Sequence, residues 1–314
     1  MILRGRPSGL KLFFVLRGSI LPRIRGVLLA NVLLAIAVTI AHRALADHSA
    51  VLVSTIPFTL MGLPLAIFLG FRNSACYDRF WEARKLWGEL LVRSRNLARQ
   101  VLHLVDAPPV ADPRDLSDER VRLLLRTAAF CITLKHLLRG QPEDEAGLDN
   151  LLLPAERQAL DGVHNRPAVL MLAMGADLAR CRHAGQVDAM RGVQIDDTLS
   201  ALTAAAAGCE RIKHTPLPFA YTLLLHRTAY LYCFLLPFGL VDSIGLMTPL
   251  VVAIVAYTFF GLDALGDELE DPFGDQANDL PLDAMCRGIE IELRLALGDP
   301  APPPALEPVD YLLL

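Results

Sequence analysis

The stretch GLPLAIFLGFRNSACYDRFWEARKLWGELL, residues Gly62–Leu91, decides how the chain folds. It is apolar as far as Phe71 and then carries arginines, acids and tryptophans. Within the apolar part, small residues recur at every fourth position, namely Gly62, Ala66 and Gly70. Such a ridge of small side chains allows helix backbones to approach closely inside a membrane. The stretch therefore predicts a membrane helix that packs tightly on a neighbour and leaves the membrane where the charged residues begin.

An apolar stripe lies beside this ridge, one position further along the chain each time, at Leu63, Ile67 and Phe71. Because one residue turns an α-helix by about 100°, the stripe is displaced by that angle from the ridge. If copies of the helix pack through the ridge around a common axis, the stripe points at the axis and lines a tube about 12 Å long. The alternative is that this apolar span faces lipid in every direction. The pattern leaves both arrangements open.

The composition indicates a membrane protein, since 53% of the 314 residues are apolar. A helix needs about 20 apolar residues to cross the hydrocarbon core of a bilayer. Four runs meet or approach this length: Val27–Leu45, Ala50–Phe71, Phe219–Val241 and Leu246–Leu262. We therefore predict an all-α membrane protein with transmembrane helices 1 and 2 in residues 26–71 and helices 3 and 4 in residues 218–265.

Basic residues predict the orientation of these spans. The segment 1–25 contains six Lys and Arg residues and no acid, and we expect it to be a basic cytosolic N-terminal segment. After the second span we predict a loop, which begins with the basic residues Arg72, Arg79, Arg84 and Lys85. The connections around Asp47–Ser49 and Asp242–Gly245 contain no Lys or Arg. The positive-inside rule therefore predicts that both termini and the long middle segment are cytoplasmic.

The middle segment, 72–217, is predicted to be a cytosolic helical region. Apolar residues recur at helical spacing in residues 82–105, 119–140 and 196–212, and no sustained β pattern appears. Beyond the last span we expect a cytosolic return segment at 266–298. The remaining residues, 299–314, are rich in proline and are expected to form a mobile tail.

Catalytic and cofactor-binding motifs such as HExxH, GxSxG and the P-loop are absent from the sequence. Its six cysteines are scattered without metal-binding spacing, so we interpret them as reduced packing thiols. A net charge of -4 and the lack of a long basic block argue against a nucleic-acid partner. We therefore predict no enzymatic activity, no cofactor and no metal site.

One ionisable pair, His226 and Arg227, lies inside the third apolar run. Ionisable residues within a membrane span are candidates for a functional role. The alternative is structural, with Arg227 bonded to a carbonyl group or an acid of a neighbouring helix.

Three longer segments together resemble the bestrophin family of channels, most closely its bacterial branch. They are IPFTLMGLPLAIFLGFRNSACYDRFWEARKLWG, TPLPFAYTLLLHRTAYLYCFLLPFGLV and ELEDPFGDQANDLPLDAMC. The resemblance extends from about Ile20 to Leu297. It implies a homopentamer around one central pore, in which each copy has four transmembrane helices and a cytosolic helical bundle. The expected function is passage of monovalent ions across the bacterial inner membrane, with membrane lipids and other copies of the chain as partners.

The resemblance also implies two constrictions. A hydrophobic neck matches Leu63, Ile67 and Phe71, the stripe described above. A cytosolic aperture, formed by a single apolar side chain, falls at Met190. Because the neck has no group that can replace the hydration shell of an ion, it should gate by dewetting or act as a low-affinity passage. A membrane-anchored scaffold or sensor that does not conduct is the alternative from a different functional class.

The ion species is less strongly indicated. The stripe contains one aromatic residue, Phe71, and so offers few positive ring edges to an anion. Acids that could concentrate cations near a pore are Asp196, Asp197, Asp263, Asp267 and Glu270. These acids could instead pair with Arg72, Arg79 or Arg84. We therefore favour monovalent cations, with chloride as the alternative that the family implies.

Calcium dependence is not expected. Animal bestrophins hold calcium in an acidic run that follows a motif similar to EDPFG. Here the motif is followed by only two carboxylates, Asp275 and Asp279, whereas calcium usually takes six to eight oxygen ligands. We expect these acids to cap helices or turns.

Overall fold

The computed structural model describes residues 1–3, 5, 9, 15–16, 18–44, 55–141 and 147–314. Over these residues the chain is helical, and its β structure consists of two isolated bridges, Ile2 with Leu312 and Val309 with Leu312. The helices are α1 (Leu21–Ala44), α2 (Ile56–Leu104), α3 (Glu119–Arg139), α4 (Pro154–Ala159), α5 (Arg166–His183), α6 (Ala189–His214), α7 (Phe219–Ile244), α8 (Thr248–Glu270) and α9 (Leu282–Ala296). Several sequence predictions lie outside the described residues: the arginines and lysine at 4, 6, 11 and 17, and the connection at 47–49.

Helix α2 corrects one expectation. The predicted loop with Arg72, Arg79, Arg84 and Lys85 is helical, because α2 continues without interruption for 49 residues, Ile56–Leu104. No proline follows Pro64 within this range, and most residues after Phe71 are good helix formers. The apolar helix and the first predicted cytosolic helix are therefore a single element.

The chain consists of two compact units, and the division between them falls inside α2. We call residues Gly5–Phe80 and Pro216–Pro272 the apolar unit. The remainder, Met1–Arg4, Trp81–Thr215 and Phe273–Leu314, is the polar unit.

The apolar unit contains, in whole or in part, the described helical segments that are long and apolar enough to span a membrane. By length and composition these are Leu21–Ala44, Ile56–Leu104 and Phe219–Glu270. The last segment contains both α7 and α8, joined by a short 3-10 turn at Gly245–Met247. These two helices fold back on each other, since Tyr230 of α7 packs on Phe260 with ring centroids 4.7 Å apart and Tyr232 packs on Phe259 at 5.3 Å. The two helices correspond to the third and fourth apolar runs, and the turn between them begins at the last residue of the predicted connection, Asp242–Gly245.

Helix α1 packs on both members of this hairpin, and one buried polar contact helps to align it. The amide nitrogen Nδ2 of Asn31 donates a hydrogen bond of 2.9 Å to the carbonyl oxygen of Cys233. Both residues are fully buried. Because an amide group without a partner is costly to bury, this bond favours one register of α1 against α7.

The polar unit is built around α3, which is buried along nearly its whole length. Asp177 of α5 is fully buried and accepts hydrogen bonds from Arg122 and Arg126 of α3. A side chain of Asp118 caps the first turn of α3 by accepting from the backbone of Arg120. The predicted helical bundle is therefore present, with a helix rather than a sheet at its centre.

The Pro-rich tail differs from its prediction. Residues 299–314 were expected to be mobile, but their end is held by backbone hydrogen bonds. The amide of Leu3 donates to the carbonyl of Tyr311 at 2.8 Å, and the amide of Ala284 donates to the carbonyl of Leu314 at 2.8 Å. At the start of the tail, Arg114 forms an ion pair of 2.9 Å with the buried Asp299. These contacts involve residues far away in sequence, which composition alone does not reveal.

Candidate functional site

The apolar stripe on α2 lies on the side of the helix that the chain itself leaves uncovered. Leu63, Ile67 and Phe71 are 66%, 47% and 63% exposed, respectively. Leu65 and Leu69 are buried and belong to the core of the apolar unit. Because two residues turn a helix by about 200°, the exposed stripe and the buried residues lie on opposite sides of α2. A contiguous apolar face exposed in this way is typical of an interface, a lipid contact or a pore lining.

The ridge of small residues is used in two different ways. A Cβ atom added to Gly62 would lie 2.8 Å from the hydroxyl oxygen of Tyr232, so Gly62 lets α7 approach within the same chain. A Cβ atom added to Gly70 would have nothing within 4 Å, and Ala66 is exposed. The chain therefore fills one end of the ridge and leaves the other end open.

Three of the predicted vestibule acids converge on one arginine. The guanidinium of Arg72 is fully buried; its Nη1 atom lies 2.9 Å from Oδ1 of Asp263, and its Nη2 atom lies 3.7 Å from Oε2 of Glu270. It also bonds the carboxylate of Asp267, which lies 3.7 Å from Arg23 as well. This is the pairing that the sequence analysis left open as the alternative for these acids. Asp263 is only 3% exposed, so its carboxylate interacts with Arg72 and has almost no contact with solvent.

The ionisable pair in α7 separates into two environments. The Nδ1 atom of His226 lies 2.7 Å from Oδ2 of Asp263, so the histidine joins the arrangement around Arg72. Arg227 is exposed and forms no hydrogen bond or ion pair with any part of the chain that the structure describes. The structural alternative, in which Arg227 bonds a neighbouring helix, is therefore not found among the described residues, and the bond to an acid of α8 is made by His226 instead. The available signal was a histidine inside the third apolar run and an acid directly after the fourth, because charges in such positions usually pair.

The predicted aperture residue belongs to the polar unit. Met190 lies in the first turn of α6 and is 76% exposed. Asp188 caps this helix by accepting a hydrogen bond of 2.9 Å from the backbone of Arg191. Asp196 and Asp197 are exposed further along α6. By helical spacing Asp197 lies on the same side of α6 as Met190, whereas Asp196 is displaced by about 120°.

The segment after EDPFG forms a turn closed by an acid. The buried carboxylate of Asp279 accepts a hydrogen bond of 2.8 Å from the backbone of Gln276. Its oxygen would lie 2.4 Å from a Cβ atom at Gly274, so a larger residue there would require the Asp279 side chain to move. The role of Asp279 in a turn agrees with the sequence interpretation, although α9 begins only at Leu282.

Among the residues that the structure describes, no three His, Cys, Asp or Glu side chains lie close enough together to hold a metal ion. The six cysteines are free and buried, as expected for packing thiols. Burial raises the pKa of Cys209 and of Cys286 to about 12. Protonated thiols of this kind are poor nucleophiles and poor metal ligands.

Comparison with known proteins identifies the family. A family model described as "Bacterial/Fungal Bestrophin protein" matches residues 1–295. The chain is 45% identical over 308 residues to a voltage-dependent anion channel-forming protein of Mesorhizobium japonicum, covering 98% of this chain and 95% of that protein. It is 43% identical to the voltage-dependent anion channel-forming protein YneE of Escherichia coli K12, covering 97% and 96% of the two chains.

A solved structure supports the same conclusion at the level of the fold. The crystal structure of a bacterial bestrophin homologue from Klebsiella pneumoniae superposes with a TM-score of 0.79 at 40% sequence identity. The match covers 87% of this chain and 98% of that one. The names of these relatives describe channel-forming proteins and not enzymes. The chain therefore belongs to the bestrophin family of ion channels, in its bacterial and fungal branch.

Proposed function

We propose that the chain assembles into a homopentameric channel that passes monovalent ions across the bacterial inner membrane. The single observation that carries this proposal is the exposed stripe of Leu63, Ile67 and Phe71, which lies opposite the buried face of α2. A hydrophobic stripe that its own chain does not cover requires another occupant. In a ring of copies packed through the open end of the small ridge, the stripe faces the central axis and lines the pore.

Such a neck controls the passage of ions through its own hydration. From Leu63 to Phe71 it is about 12 Å long at a rise of 1.5 Å per residue. Its three side chains offer no oxygen ligand or charge, so an ion entering it loses hydration without compensation. A narrow apolar passage of this kind opens and closes by wetting and dewetting. Met190 is the proposed second constriction, the aperture; its flexible thioether makes it softer than a β-branched side chain.

We propose monovalent cations as the permeant ions. Phe71 is the one aromatic residue of the stripe, and Asp196 and Asp197 are exposed on α6, the helix that begins at the proposed aperture. Asp263, Asp267 and Glu270 contribute less to this argument than the sequence suggested, since they pair with Arg72. Anions are the second candidate, because the relatives from Mesorhizobium japonicum and Escherichia coli are named anion channel-forming proteins.

The proposed topology follows from the charge distribution. Both termini and the polar unit are cytoplasmic, and each copy crosses the membrane four times. The basic residues near the start of the chain and after Phe71 support this orientation. The α7–α8 hairpin supports a short connection on the opposite side, at Gly245–Met247.

Ion flux through the purified protein tests the function directly. The protein is reconstituted into planar bilayers, and currents are measured in asymmetric KCl. A reversal potential near the potassium equilibrium potential supports the cation channel, and one near the chloride equilibrium potential supports the anion channel. A correctly assembled protein that carries no current would instead favour the non-conducting scaffold or sensor.

A further inference from the structure

The exposed stripe of α2 does not end at Phe71. Along one face of a helix, residues recur about every 3.6 positions. Counted from Leu63, Ser74 and Asp78 are rotated by about 20° and about 60°, which is within the arc of about 80° that the stripe itself occupies. Both residues are exposed. The face that is apolar from Leu63 to Phe71 therefore continues with a hydroxyl group and then a carboxylate, all within the apolar unit.

Asp78 differs from four other acids of this unit, Asp242, Asp263, Asp267 and Glu270, in having no counter-charge among the described residues. It forms no hydrogen bond or ion pair with the described part of the chain. Asp263, Asp267 and Glu270 all lie within reach of Arg72, and Asp242 lies 3.2 Å from His42. Because no counter-charge in the described part of the chain neutralises this exposed carboxylate, it can attract cations that move along the apolar face.

The neighbouring arginines point away from this face. Arg72 lies about 180° from Leu63 around the helix and is buried against α8. Arg79 follows Asp78 directly, is rotated by about 160°, and donates to the carbonyl oxygen of Glu270 at 3.2 Å. Between Leu63 and Phe80, Asp78 is therefore the one charged side chain on the face of the stripe.

We propose that Asp78 is a selectivity-determining residue, forming a ring of fixed negative charge at the cytosolic mouth of the neck that favours cations over anions. This inference rests on the proposed homopentamer with the stripe on its axis. The ring then contains five carboxylates, about 10 Å beyond Phe71 along α2. Rings of Asp or Glu select cations in other pores, and a low-dielectric wall focuses their field. Ser74 lies between Phe71 and Asp78 on this face, where an ion leaving the neck regains contact with polar groups.

The test compares reversal potentials of four proteins in asymmetric KCl: wild type, Asp78→Asn, Asp78→Glu and Asp161→Asn. Asp161 is the control, because it is an exposed carboxylate of the polar unit in the turn after α4. Asp78→Asn should lower the potassium-to-chloride permeability ratio by at least about threefold, with the larger effect at low ionic strength, where screening is weak. Asp78→Glu and Asp161→Asn should keep the wild-type ratio.

A conducting wild type whose ratio is unchanged in Asp78→Asn overturns the inference and leaves the proposed channel standing. A wild type that carries no current overturns both. If Asp78→Asn fails to assemble, Asp78→Cys provides the second measurement. A cationic thiol reagent applied from the cytosolic side should alter its current, and the native cysteines do not interfere because they are buried. An Asp78→Cys current that the reagent leaves unchanged also overturns the inference.

Discussion

The guanidinium of Arg72 in α2 and the carboxylate of Asp263 in α8 form a buried ion pair, with Nη1 and Oδ1 2.9 Å apart. The two residues are separated by 191 positions in sequence. Asp267, Glu270 and His226 complete the surroundings of this pair. It connects the helix that carries the exposed stripe to the hairpin behind it, so we expect it to hold the stripe in its orientation.

Removing the arginine should destabilise the protein strongly. Arg72→Gln leaves the buried carboxylate of Asp263 without its arginine and with only His226 beside it, and we expect a loss of about 3–5 kcal/mol in the free energy of unfolding. Asp263→Asn should be milder, because Asp267 and Glu270 remain near the guanidinium. The loss should appear as a lower thermal midpoint of the purified protein, measured by fluorescence-detected size-exclusion chromatography.

The control for this prediction is an exposed ion pair. Arg95 and Glu292 lie 2.6 Å apart on the polar unit, and the Arg95 side chain is 58% exposed. Arg95→Gln should leave the stability close to that of the wild type, because an exposed ion pair is screened by solvent and contributes little. Equal losses for Arg72→Gln and Arg95→Gln would show that burial does not strengthen the pair.

Widening the neck should increase the current. The triple variant Leu63→Ala, Ile67→Ala, Phe71→Ala removes apolar volume from the proposed pore and eases its wetting, so single-channel conductance should rise. Leu231→Ala serves as the control, because Leu231 is 54% exposed on α7, away from the stripe. Unchanged conductance in a properly assembled triple variant would rule out the stripe as the pore lining.

The open end of the small ridge should govern assembly. Gly70→Leu places a large side chain where the chain itself has open space, so each copy should still fold. Contact between copies through Ala66 and Gly70 should be blocked, and native mass spectrometry should show a smaller fraction of pentamer. Met61→Ala alters another exposed position of α2, about 180° around the helix from Gly70, and should leave assembly intact. A fully pentameric Gly70→Leu protein would show that copies do not pack through this ridge.

Calcium should not activate the channel. The carboxylate of Asp279 is already engaged with the backbone of Gln276, and few acids surround it compared with what calcium requires. Currents recorded first with a chelator and then with increasing free calcium should be the same. A titration that rises with a micromolar midpoint would contradict this expectation.

The cysteines of the polar unit should be unreactive in the folded protein. Burial raises the pKa of Cys131 well above its ordinary value and that of Cys209 and Cys286 to about 12. At pH 8 these thiols are protonated and inaccessible, so maleimide should label none of them until the protein is denatured. Asp161→Cys, an exposed position, should be labelled at once. Rapid labelling of the native cysteines, detected by mass spectrometry, would contradict their burial.

The local features of this protein could be predicted from the amino-acid sequence. The apolar runs predicted the helices that can span a membrane, and helical spacing predicted α3 and α6. The four-residue spacing along Gly62–Phe71 placed the stripe beside the small ridge. The motifs of the same region indicated the bestrophin family. These conclusions depend on residues close together in the chain, and the geometry of a single helix relates such residues directly.

Which face of each helix is covered could not be predicted in this way, because it depends on how the helices pack. Leu65 and Leu69 are buried and the stripe is exposed because α2 packs on residues from the far end of the chain, and both faces are equally apolar in sequence. The same holds for the acids near the end of α8, whose partner Arg72 lies in another helix. The tail is held for a similar reason, since Tyr311 and Leu314 bond residues remote from them in sequence. Pairings between distant residues depend on packing in three dimensions, which periodicity along one segment does not contain.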